Sequence, residues 1–80
     1  MINLIVMLDA KKKFEGDVMS VEVQTEDGIA KLLPDHQPYL AKVLSYAKYE
    51  ISAGEQTKLE FSHGFVYIKG NTCFLICSID

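Results

Sequence analysis

Apolar and polar positions alternate with a period of two along most of the chain, in short runs broken by turn residues. Asn3 to Leu8 is a first strand, and a lysine-rich stretch, Lys11 to Lys13, follows it and ends at Phe14-Glu15-Gly16. From Val18 to Thr25 the alternation is clean: Met19, Val21 and Val23 point one way, and Ser20, Glu22 and Gln24 the other. This is the pattern of a half-buried strand. Glu26-Asp27-Gly28 is a turn, with Gly28 able to take a positive φ. Ile29 to Leu33 is short and extended. Pro34 and Pro38 then bracket Asp35-His36-Gln37. Each proline fixes its own φ and pushes its predecessor out of the helical region, which predicts a rigid bent loop.

Tyr39 to Ser52 carries two patterns at once. Tyr39, Leu40, Val43, Leu44 and Ala47 fall at helical spacing, while Tyr49 and Ile51 alternate with Lys48 and Glu50. Two short strands are the favoured reading, with Ala53-Gly54 as the turn after them. Thr57 to Phe61 alternates again, Leu59 and Phe61 inward against Lys58 and Glu60. Phe65 to Lys69 and Thr72 to Ile79 flank Gly70-Asn71, a two-residue hairpin turn. Short strands at this spacing, with little room for helix, predict an all-β antiparallel sandwich or flattened barrel of about 8–10 short strands. Residues 1–80 are expected to form a single domain, with no repeat or linker.

Composition narrows the function classes. An 80-residue chain that is 49% hydrophobic is globular rather than disordered. A net charge of −3 argues against a nucleic-acid partner, which needs a basic face to neutralise phosphates. No apolar run approaches the roughly 20 residues that span a bilayer. The apolar stretch Ile2 to Leu8 is too short for a signal peptide, and Asp9 follows at once. Soluble, cytosolic character is the expectation.

Candidate chemistry is sparse. Cys73 and Cys77 lie four apart in one strand, about 13 Å from each other on one face. A disulfide needs Cα atoms within about 7 Å, so they are read as small buried apolar groups in a reducing compartment. His36 and His63 are the only candidate bases, and neither sits in a nucleophile motif. The five glycines are scattered singly, so no phosphate-cradling loop exists. Asp35-His36 is the one carboxylate–imidazole neighbour pair, but adjacent strand residues point to opposite faces. No catalytic residue, metal or cofactor is therefore expected. Lys11-Lys12-Lys13 is read as a solvated loop or a protected sheet edge. For Tyr39, Tyr46, Tyr49 and Tyr67, burial at a rim and an interface role weigh equally.

One stretch carries a resemblance. Gly28-Ile29-Ala30-Lys31-Leu32-Leu33-Pro34-Asp35-His36-Gln37-Pro38-Tyr39-Leu40 resembles the most recognisable segment of the epsilon subunits of F-type ATP synthases. That family typically shows two glycines three apart, two apolar residues, then Pro-Gly/Asn-His-Ala-Pro-Leu-Leu. Gly28, Leu32, Leu33, Pro34, His36, Pro38 and Leu40 match without a gap. Phe14-x-Gly16 upstream, and Gly64-Phe65, Gly70-Asn71 and the last apolar strand downstream, are similar to the family in order and distance. Lys31 replaces the second glycine, Gln37 the alanine and His63 the first glycine of a Gly-Gly pair. The Pro-Gly expected near Leu44-Ser45-Tyr46 is missing, and so is the C-terminal helical hairpin that the family commonly carries.

The resemblance implies a non-catalytic rotor part in a proton-translocating synthase, joining the gamma subunit to the membrane c-ring. It places the segment Pro34, His36, Pro38, Tyr39 and Leu40 at gamma, and the loop Glu26, Asp27, Gly28, Ile29 and Lys31 at the c-ring. Where the family often has a glutamate after this glycine, Ile29 makes that contact more apolar. The implied location is peripheral, on the cytoplasmic face of a bacterial inner membrane, with no direct insertion and a monomer in isolation. The competing reading is a free-standing sandwich that binds a small ligand or protein. A concave apolar site would favour that reading, and flat, partly apolar patches would favour the rotor.

Overall fold

The computed structural model describes residues 1–79. Seven strands make one sheet: β1 (Ile2–Leu8), β2 (Lys11–Val18), β3 (Ser20–Thr25), β4 (Gly28–Leu32), β5 (His36–Ser52), β6 (Glu55–Gly70) and β7 (Thr72–Ser78), in the order β2-β1-β7-β6-β5-β3-β4. β5 has 17 residues and β6 has 16. Straight strands of that length would reach about 55 Å, yet the longest dimension of the molecule is 30 Å. Both must therefore bend, and they fold the sheet into two layers. One layer is β2, β1, β7 and the halves of β6 and β5 that pair across Leu44↔His63 to His36↔Gly70; the other is the remaining halves with β3 and β4.

The corner has an identifiable cause. The β5–β6 register shifts between Leu44 and Tyr46, and Ser45 between them adopts φ 66. Ser45 alone faces two residues of β6, Phe61 and Ser62, and an extra residue on one side of a ladder bends the pair sharply. Dividing β5 and β6 at this corner recovers the short strands that the sequence pattern indicates. The helical spacing from Tyr39 is a coincidence of that bend, because Val43 and Ala47 fill the core from the two sides of the bulge.

The core lies between the layers. Ile2, Leu4, Val6, Val66, Ile68, Cys73 and Leu75 come from one sheet face, and Val21, Val23, Ala47 and Tyr49 from the other. Phe14 stacks on Tyr49 with ring centroids 4.7 Å apart, joining β2 to β5 along an open side of the sandwich. β1 and β7 pair in parallel, Leu4 opposite Cys73 and Val6 opposite Leu75. The ladder is thus mixed rather than wholly antiparallel: no hairpin connects these two strands, so nothing forces them to oppose.

Two local expectations change. Met19 is 38% exposed and Ser20 is buried, the reverse of the predicted alternation. The chain bends at Met19, whose N–H donates to the Glu50 carbonyl at 2.6 Å, and β3 starts one residue later. The proline-bracketed loop is shorter than predicted, a turn at Pro34-Asp35. Pro38 lies inside β5, at the register shift between His36 and Tyr39, where a missing N–H costs no regular ladder bond. Gly70-Asn71 is the expected two-residue turn between the paired Lys69 and Thr72, with Gly70 at positive φ. Lys11–Lys13 sit on edge strand β2, and Lys13 is the extra residue of a bulge opposite Val6-Met7.

Candidate interaction surfaces

The β3–β4 turn is fixed from within. The Thr25 hydroxyl donates to the Gly28 carbonyl at 2.8 Å and accepts the Asp27 N–H at 3.2 Å, so the tip has a defined shape. Gly28, at φ 117, lets the chain reverse. Glu26 and Asp27 stand exposed at the tip, and Ile29 beside them is 65% exposed. Glu26 meets Lys42 of β5 at 4.0 Å. Lys31 is exposed on edge strand β4, opposite Glu22.

The second predicted segment presents a mixed surface. Pro34 and Pro38 are exposed and His36 is half-buried. His36 Nδ1 lies 2.7 Å from the Gln37 carbonyl, and its ring meets Tyr39 edge-on at 5.9 Å. Tyr39 packs partly against the core, whereas Leu40 is 68% exposed. Asp35 pairs with Asn71 instead of with His36, so no carboxylate–imidazole dyad forms. The two predicted segments, neighbours in sequence, also meet in space: Glu26 and Asp27 line one shallow depression with Tyr39, Leu40 and Lys42.

The sequence reading missed a larger feature. Leu40, Tyr67 and Phe74 stand in one cross-strand row, continued by Ile5. Lys42, Phe65 and Ile76 form the next row, continued by Met7. All point away from the core. Phe65 is 56% exposed and Ile76 is 55% exposed, with Tyr67 and Phe74 somewhat less. Four neighbouring strands thus carry one apolar outer face, with a shallow open depression between Phe65 and Ile76. The signal for it lies in β7, where Cys73-Phe74-Leu75-Ile76-Cys77 is apolar without alternation. Such a run belongs to a strand covered on both sides.

The opposite layer has a different outer face. There Tyr46 directs its hydroxyl toward Glu22 at 3.5 Å, and the Lys48 and Lys58 ammonium groups lie 5.7 and 5.1 Å from its ring. Glu22 stands between Lys31 and Lys48 in the ladder, and Lys58 is 3.8 Å from Glu60. This face is charged and at least partly exposed. The sandwich therefore has one polar outer face and one apolar outer face.

The cysteines belong to the interior. Burial pushes the Cys73 thiol up to about 12, and burial together with the Asp9 charge pushes Cys77 up to about 11, so both stay protonated and poorly nucleophilic near neutrality. No group of three metal-ligating side chains occurs among the described residues. Among the described residues no helix is long and apolar enough to cross a membrane.

Comparisons with known proteins agree with this architecture. Residues 1–78 match the family described as ATP synthase, Delta/Epsilon chain, beta-sandwich domain. A curated relative, the ATP synthase epsilon chain of Leptospira borgpetersenii serovar Hardjo-bovis (strain JB197), is 32% identical over 76 residues, which cover 94% of this chain and 59% of the relative. Among solved structures, a chain of the Euglena gracilis mitochondrial ATP synthase (OSCP/F1/c-ring, rotational state 1) superposes with a TM-score of 0.88 at 15% identity, over 95% of this chain and 49% of that one. A chain of the Tetrahymena thermophila mitochondrial ATP synthase central stalk/c-ring superposes with a TM-score of 0.77 at 13% identity, over 96% of this chain and 63% of that one. At such identities the superpositions speak for the fold alone. The chain spans about three-fifths of the curated relative's length.

Proposed function

Since the chain belongs to the family of ATP synthase delta/epsilon β-sandwich domains, we propose that it is a non-catalytic central-stalk subunit of a proton-translocating F-type ATP synthase, joining the gamma subunit to the c-ring. The observation that carries this reading is the uneven sandwich. One outer face exposes apolar side chains across four strands, and the other is charged. An exposed apolar patch of this extent marks a protein interface, whereas a small-ligand site would be concave.

The face of Leu40, Phe65, Tyr67, Phe74 and Ile76 docks on gamma, with Pro34, His36, Pro38 and Tyr39 along its border. The turn of Glu26, Asp27, Gly28 and Ile29, with Lys31, meets the polar loops of the c-ring. Aromatic and aliphatic side chains on a pleated sheet supply broad contact with little entropy to lose, which suits a part that carries torque. The subunit is peripheral, on the cytoplasmic face of a bacterial inner membrane, and takes its membrane association from the c-ring. It has no active site or cofactor of its own and is monomeric when dilute.

The test compares charge insertion on the two outer faces. Phe65→Lys should weaken binding to purified gamma from the same source by at least about 30-fold, the loss expected of a central anchor. Lys58→Glu, on the charged face, should leave it within about threefold. Equal effects, or none from Phe65→Lys in a folded protein, would remove gamma from this face.

A further inference from the structure

Asn71 sits where three parts of the chain meet. Its side-chain oxygen accepts the Asp35 N–H at 2.7 Å, and its side-chain nitrogen donates to the Asp35 carboxylate at 2.9 Å. Its backbone carbonyl accepts the Asn3 N–H at 2.7 Å. One residue of the β6–β7 turn thereby holds the entry to β5 and the start of β1. The two side-chain bonds join residues 36 positions apart in sequence.

The geometry at Asp35 shows what these bonds do. Asp35 has φ 62, a left-handed conformation that aspartate and asparagine visit more readily than other non-glycine residues. The reciprocal pair with Asn71 adds two bonds that hold it there. Next in the chain is His36, which opens β5 opposite Gly70, the immediate neighbour of Asn71. The backbone angle at Asp35 sets the direction in which His36, Pro38 and Leu40 leave the turn. Both residues are exposed, so the pair adds little to the core and acts on the shape of one surface.

We propose that Asn71 is a positioning residue: by clamping Asp35 in its left-handed conformation, it pre-shapes the Pro34–Leu40 segment for docking. The docking half rests on the rotor reading above; the clamp itself does not. A loop fixed before encounter loses less entropy on binding, so its release appears as weaker affinity with little change in folding stability. Asn71 forms no part of the apolar face, which separates its role from that of a contact residue.

The test is an exchange of the two side chains. Asn71→Asp places two carboxylates against each other and removes the donor. The double variant Asp35→Asn/Asn71→Asp restores an amide facing a carboxylate, and asparagine tolerates the left-handed backbone well. For Asn71→Asp, exchange of the residue-35 amide hydrogen should quicken at least about tenfold and affinity for gamma should fall roughly tenfold, with an unchanged thermal midpoint. The double variant should recover both. Asn71→Asp with native amide exchange, or with native gamma affinity, overturns the proposal, as does a double variant that recovers neither. If the unmodified chain fails to bind gamma, the rotor reading falls and the docking role falls with it. Residue-35 exchange then decides whether the clamp stands alone.

Discussion

Gly64 is the glycine with the least room for a side chain. A Cβ built there would lie 2.5 Å from the Ile76 carbonyl oxygen and 2.8 Å from the Cys77 Cβ, so β6 and β7 could not keep their spacing. Gly64→Ala should therefore cost at least about 2 kcal/mol in urea unfolding, more than ordinary surface changes. The cysteines give a pH signature. Burial holds both thiols above their ordinary value of 9.0 in the folded state, at about 12 for Cys73 and about 11 for Cys77. The unfolded chain releases these protons first, so stability is fully present below pH 9 and is lost as pH rises toward the folded-state values. Cys73→Val should flatten part of that alkaline loss, measured by comparing unfolding midpoints at pH 8 and pH 10. At this scale the sequence was legible where one residue type has one use, as at Gly28, Gly54 and the buried cysteines. Met19 was not legible, since its apolar character fits the alternating pattern and the bend at that position depends on a partner, Glu50, distant in sequence.

The long strands show how elements were partly legible. Tyr39–Ser52 is extended as favoured, but one strand turns the corner where two were expected, because the bulge at Ser45 leaves no break in composition. A serine at φ 66 carries left-handed strain of about 1–2 kcal/mol. Glycine would relieve it and offset part of the gain through its larger unfolded-state entropy. Ser45→Gly should raise stability by about 0.5–1 kcal/mol in urea denaturation, and a loss would show that the serine is held by something other than the bulge. The lysines of β2 also make sense here. With β2 at one end of the sheet order, Lys11, Lys12 and Lys13 guard an edge that would otherwise pair with another chain.

For the whole molecule, class was easier to infer than topology. Period-two alternation fixes an all-β sandwich because each strand has one face to bury. It does not say that the first and last strands lie side by side in parallel, a contact between the two ends of the chain. The sequence singled out the stretch from Glu26 to Leu40, and the structure brings Glu26 and Asp27 to one depression with Tyr39 and Leu40. The broader apolar face was hidden because Phe65, Tyr67, Phe74 and Ile76 alternate with residues just as apolar, and the pattern alone does not say which set the core takes. An outer face of that character needs a covering partner, and the charged face opposite it does not.

The most direct test is a sedimentation titration of the purified chain with purified gamma subunit from the same source. The account predicts a saturable one-to-one complex, present with the Lys58→Glu protein and absent with Phe65→Lys at the same concentrations. A folded chain that sediments unchanged at every gamma concentration would contradict it and leave the free-standing binding module as the better reading.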